Sequence, residues 1–94
     1  MECNSCSYHE SRDDLLRRLK KIEGQIKGIQ KMIEEEKYCV DILIQIAAVR
    51  AALNKVGLII LEDHIRGCVA QAMDTKMRDE KISELVDVIL KFIK

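Results

Sequence analysis

The chain has 94 residues, of which 48% are apolar and only 3% aromatic, with no proline and no tryptophan. Charged residues make up 34% and cancel to a formal net charge of zero, so bulk attraction to nucleic acid is excluded and any such contact must come from a local concentration of charge. The length fits one small domain of amphipathic helices, a kind of chain that often completes its core by oligomerising. No uninterrupted apolar run approaches the roughly 18 residues of a membrane span, and no secretory signal is visible, so a cytoplasmic protein with no membrane partner is expected.

Residues 1–10 are polar and aperiodic and read as a tail, leaving 11–94 as a single helical domain. Ser11 and Asp14 fit a helix N-cap with an acidic first turn. A first helix is expected from Arg12 to Glu36. Its apolar residues Leu15, Leu19, Ile22, Ile26, Ile29 and Ile33 follow a 4-3-4-3-4 heptad spacing. Gly24 and Gly28 each cost about 1 kcal/mol against alanine, which predicts close packing or close approach of a ligand there.

A second helix is expected from Tyr38 or Cys39, with the stripe Ile42, Leu43, Ile46, Val49, Leu53, Val56, Ile60, His64, Cys68 and Ala72. Ala47, Ala48, Ala51 and Ala52 give it a waist of small residues. The polar segment 73–78 reads as a loop. A third helix runs from about Asp79 to the C-terminus, with Ile82, Leu85, Val86, Ile89 and Ile93 on one face. The expected fold class is all-α, a three-helix subunit of long, longer and short helices.

Four cysteines occur, Cys3, Cys6, Cys39 and Cys68. In a cytosolic helical protein they point to metal binding or redox sensing rather than to disulfides. His64 and Cys68 lie four apart and share a helix face. Cys39 precedes His64 by 25 residues in the same helix, roughly 37 Å away, so the three can act together only between chains. Two thiolates and an imidazole favour Cu(I) in a three-coordinate site, with Zn(II) the main competitor if a fourth ligand is found. Two antiparallel copies of the second helix would oppose Cys39 to residues 64–68 and cross near Ala52 and Leu53, at the alanine waist. Each residue alone reads as well as a core thiol or core histidine. Cys3, Cys6 and His9 form C-x2-C-x2-H, half of a zinc-like site, either a plain tail or an auxiliary metal site.

The block RRLKKIEGQIKGIQKMIEEEKYCVDILIQIAAVRAAL, Arg17 to Leu53, together with Cys39, His64 and Cys68, resembles the CsoR/RcnR family of bacterial metal-sensing transcriptional repressors. The resemblance covers nearly the whole chain. It implies an antiparallel dimer and a disc-shaped dimer-of-dimers tetramer, with Cys39 from one subunit and His64 and Cys68 from its partner. It implies that Tyr38 and Glu84 stand around the ligands and couple them to the rest of the molecule. The copper-sensing branch carries this Cys, His, Cys set. The nickel/cobalt branch uses more histidines, the persulfide branch lacks the His, and the formaldehyde branch lacks the final Cys. Cys3 and Cys6 depart from the pattern.

Residues 12–31 carry seven basic side chains, Arg12, Arg17, Arg18, Lys20, Lys21, Lys27 and Lys31, against Asp13, Asp14 and Glu23. Such a run is usually a solvated face. Repeated over four subunits, it could neutralise many phosphates, with salt-dependent affinity. The resemblance places Arg18 and Lys55 at DNA-binding positions, with Gln25 and Arg50 as weaker candidates. With no recognition helix and few aromatics, backbone and shape readout of operator DNA is expected. The expected function is a copper(I)-responsive repressor whose apo form binds its operator and whose Cu(I) form releases it. The alternatives are a persulfide/thiol-redox or Ni/Co sensor of the same family, or a metal chaperone that binds no DNA. With no Ser/His/Asp set, phosphate loop or paired carboxylates, no enzyme activity is expected.

Overall fold

The computed structural model describes residues 8–70, 73 and 76–92, with the side chains of Cys68 and Val69 left out. Among them all regular structure is helical: a 3-10 turn His9–Ser11, α1 Arg12–Glu34, α2 Cys39–His64, a π turn Ile65–Val69, and α3 Arg78–Phe92. The three α-helices have 23, 26 and 15 residues, in the expected order of lengths. Glu10–Ile59 form one compact unit, and the described residues from Ile60 onward together with Tyr8 and His9 form another.

In the first unit, α1 and the part of α2 up to Ile59 make a helical hairpin. Its core is Leu15, Ile22 and Val56, with Val49, Ala52 and Ile59 packed against them. Ser11 stands at the N-cap position but makes no side-chain capping bond, because the 3-10 turn already brings the backbone in with helical angles (φ −91°, ψ −1°). The hairpin turn closes with a Schellman motif. The N–H of Lys37 donates to the carbonyl of Met32 at 2.9 Å and that of Glu36 to Ile33 at 3.1 Å, ending α1 at Glu34, two residues early. Glu36 takes the left-handed conformation usually given to glycine there, at φ 52°.

The heptad seam of α1 divides. Leu15, Ile22 and Ile29 turn inward, while Leu19, Ile26 and Ile33 stay exposed with Leu16. The stripe of α2 divides likewise. Ile42, Val49 and Val56 are covered, whereas Leu43, Ile46, Leu53 and Ile60 are exposed. Ala52, expected near a crossing between chains, is half-buried and packs against the chain's own core. A Cβ placed on Gly24 or Gly28 meets nothing within 4 Å among the described residues, so packing among these does not explain the two glycines.

In the second unit, α3 covers Lys81, Ile82, Leu85 and Ile89 and exposes Val86, Val88 and Leu90. Val86 therefore leaves the expected inner face, and Ile93 lies outside the described residues. The second helix is not α-helical throughout. Past His64 the bonding widens, and the N–H of Ala70 reaches back five residues to the carbonyl of Ile65. Gly67, without a Cβ, lies inside this wider turn. Cys39–Gly67 is long and apolar enough, by length and composition, to cross a membrane. The sequence expectation counted only uninterrupted runs, and Arg50 and Lys55 are too few to offset the apolar residues around them.

Candidate metal centre

Cys39 is exposed and opens α2. It follows Tyr38, whose carbonyl accepts the N–H groups of Asp41 (3.1 Å) and Ile42 (3.2 Å) and so starts the helix. The Tyr38 side chain points away from the core, with the residue 68% exposed. His64 closes α2. A 26-residue helix separates its ends by roughly 37 Å. At 100° per residue, Cys39, Leu43, Ile46, Leu53, Ile60 and His64 share one face of α2. The four apolar residues between the two candidate ligands are all exposed. Cys68 lies four residues past His64, inside the π turn. Among the described residues no three His, Cys, Asp or Glu side chains converge on one point.

His64 is about one-quarter exposed, and its Nε2 lies 3.9 Å from Oε1 of Glu84 on α3. That is beyond hydrogen-bond reach and within ion-pair reach when the imidazole is protonated. Lys81, largely covered, brings its Nζ to 3.8 Å from the same Glu84 oxygen. Glu84 therefore faces the Lys81 ammonium and the His64 imidazole. The sequence reading missed Lys81, although its i,i+3 spacing from Glu84 marks the pair on a helix. It also missed Asp63, whose buried Oδ2 has no hydrogen-bond partner among the described residues. An acid beside His64 within an apolar stretch was the available signal. Cys3 and Cys6 lie outside the described residues, and His9 opens the 3-10 turn.

The basic residues lie on the hairpin. Lys20, Lys21, Arg50 and Lys55 are exposed. Arg17 and Arg18 are both bound by Asp14, with Arg18 Nε donating to Oδ2 at 2.8 Å. These two bonds, that of Arg18 first, hold the Asp14 carboxyl below its ordinary pKa of 3.8. Arg17 and Lys20 also flank a shallow groove with Leu16, Leu19 and Glu23. Gln25 has a buried Oε1 without a hydrogen-bond partner among the described residues.

Residues 11–91 match the family described as metal-sensitive transcriptional repressor. The chain is 52% identical over 85 residues to the copper-sensing transcriptional repressor CsoR of Bacillus subtilis, covering 90% of this chain and 84% of that protein. It superposes with a TM-score of 0.83 and 47% identity on the copper-sensing repressor CsoR with Cu(I) from Geobacillus thermodenitrificans, covering 90% of this chain and 88% of the other. It also matches the nickel-responsive transcriptional regulator InrS, with a TM-score of 0.74 and 38% identity over 85% of this chain and 90% of that one.

Proposed function

The chain belongs to the metal-sensitive transcriptional repressor family, and from that premise we propose that it is a copper(I)-responsive repressor, cytoplasmic and homo-oligomeric. Its apo form binds operator DNA, and Cu(I) releases it. Cys39 of one subunit and His64 and Cys68 of its partner hold the metal. Two soft thiolates and one imidazole make a complete donor set for Cu(I), whereas Zn(II) would need a fourth ligand. When bound, the metal supplies a cross-link between subunits.

One observation carries this reading: Cys39 and His64 stand at the two ends of one helix, joined by an exposed apolar face. A second copy of α2 laid antiparallel on that face would cover Leu43, Ile46, Leu53 and Ile60 and pair each Cys39 with a distant His64. Glu84, 3.9 Å from His64 and 3.8 Å from Lys81, is the carboxylate that responds when the imidazole turns toward a metal. Outer groups of this kind orient a ligand and transmit its movement. Arg17, Arg18, Lys20, Lys21, Arg50 and Lys55 contact the phosphates, so operator affinity falls steeply with salt. Linkage makes DNA weaken Cu(I) binding by the same factor by which Cu(I) weakens DNA binding.

The test is an anaerobic operator-binding titration with Cu(I), Ni(II), Zn(II) and a persulfide donor in parallel. Cu(I) should release DNA at the lowest concentration, and His64→Ala should bind DNA yet fail to release it. Release by Ni(II) at lower concentration would move the protein to nickel sensing. Cu(I) binding without salt-dependent DNA affinity would make it a chaperone.

A further inference from the structure

Lys81 is costly at its position. Its side chain is only 16% exposed, and a covered ammonium needs a partner. It is the fourth residue of α3, near the positive end of that helix's dipole, where Asp79 and Glu80 fit and a cation does not. Its backbone N–H donates to the carbonyl of Met77 at 2.8 Å, which fixes it in that turn. Among the described residues, the acid within ion-pair distance of it is Glu84, three residues later. A lysine ahead of its glutamate is the weaker order on a helix, so the pair is poorly placed to stabilise α3. It is well placed to act on His64. Lys81 Nζ lies 3.8 Å and His64 Nε2 3.9 Å from one and the same atom, Oε1 of Glu84. Neither nitrogen is at hydrogen-bond length. The two share one oxygen, and all three residues lie in one compact unit.

We propose that Lys81 is a positioning residue that holds Glu84 off His64 in the metal-free protein and so keeps the chain in its DNA-binding state. This rests on the copper(I)-responsive reading above and names the residue that sets its resting state. With the ammonium drawing on Oε1, the carboxylate stays 3.9 Å from Nε2, short of the imidazole. Without the ammonium, the carboxylate closes on the imidazole N–H and makes, with no metal, the contact that accompanies release. Lys81 therefore opposes release until His64 is engaged. A resting equilibrium of this kind shifts by the full difference that the lost contact makes between its two states.

The test compares metal-free full chains by fluorescence anisotropy on a duplex selected from random-sequence DNA by the unmodified protein. Lys81→Met keeps the apolar stem and removes the charge, so its helical circular dichroism should match that of the unmodified chain; if it does not, Lys81→Gln replaces it. Its metal-free DNA affinity should be several-fold weaker, and Cu(I) should weaken it by a smaller further factor than in the unmodified chain. Proton–nitrogen NMR correlations of the imidazole, recorded without metal, should show His64 Nε2–H newly protected from solvent exchange. In a Glu84→Ala background, Lys81→Met should change DNA affinity no further, because the two residues act through one oxygen. The same loss of affinity in that background overturns the proposal, since Lys81 would then act on DNA directly. So does a Lys81→Met chain with unaltered DNA affinity and His64 signals while the unmodified chain still releases DNA with Cu(I). An unmodified chain that Cu(I) does not release from DNA overturns the copper(I)-responsive reading itself, and this proposal with it.

Discussion

At Asp14 one carboxylate meets two guanidinium groups, a pairing that bears on stability at low pH and, under the proposed function, on DNA binding. The Arg18 bond, then the Arg17 bond, lowers its pKa. A carboxyl with a depressed folded pKa contributes stability that is fully present above its unfolded pKa and is lost as pH falls through the folded one. The loss therefore falls below about pH 3.8, and it is small because the groups are solvated. Asp14→Asn removes that acid limb and frees Arg17 and Arg18, so operator binding at low salt should tighten several-fold in fluorescence anisotropy. Weaker binding would mean that Asp14 holds the arginines in their DNA-contacting pose. A second residue-scale test lies at Glu36, whose φ of 52° is strained for a side chain with a Cβ. Glu36→Gly should stabilise the protein by about 1 kcal/mol in urea denaturation, and a loss of stability would contradict this account of the turn. The cysteines, the histidine and the basic run were all legible as residue types at telling spacings. The contacts of Glu84 with His64 and of Asp14 with both arginines depend on rotamers and on α3, which no spacing in one stretch of sequence encodes.

The helices themselves were legible because apolar residues recur at three and four over long stretches without proline. Their division of labour was not. In α1 the seam reads as one stripe, yet Leu15, Ile22 and Ile29 go inward while Leu19, Ile26 and Ile33 stay exposed. In α2, Val49 and Val56 are covered whereas Ile46 and Leu53 are not. A periodic pattern marks an apolar arc, and here the arc is wide enough to serve two surfaces. The π turn was also invisible, because an i,i+5 bond leaves no compositional mark apart from Gly67. The division predicts opposite outcomes for neighbouring substitutions. Val56→Ala opens the hairpin core and should cost about 2 kcal/mol of stability. Ile46→Glu, on the exposed face, should leave each hairpin folded but shift the protein toward monomer in sedimentation velocity and abolish Cu(I)-dependent DNA release. If Ile46→Glu keeps the oligomer intact, the partner does not use this face.

Across the described residues, only Leu15, Ile22 and Val56 are buried hydrophobics, while twenty large apolar residues remain exposed. Under the proposed function, a second copy of the chain would cover part of those surfaces. The same pairing would bring Cys39 toward His64 and Cys68 of a partner, so assembly and sensing would be one structural event. Isologous pairing would give each dimer two identical sites and repeat the basic hairpin on every subunit. The most direct test is complementation between two release-defective variants, Cys39→Ser and His64→Ala/Cys68→Ser. Each alone should bind operator DNA and fail to release it with Cu(I). Unfolded and refolded together, they form heterodimers in which one site regains Cys39 from one chain and His64 and Cys68 from the other. Cu(I) should then release part of the bound DNA from the mixture. If the mixture stays as unresponsive as its components, or if Cys39→Ser alone still releases DNA, the ligands do not meet across the subunit interface.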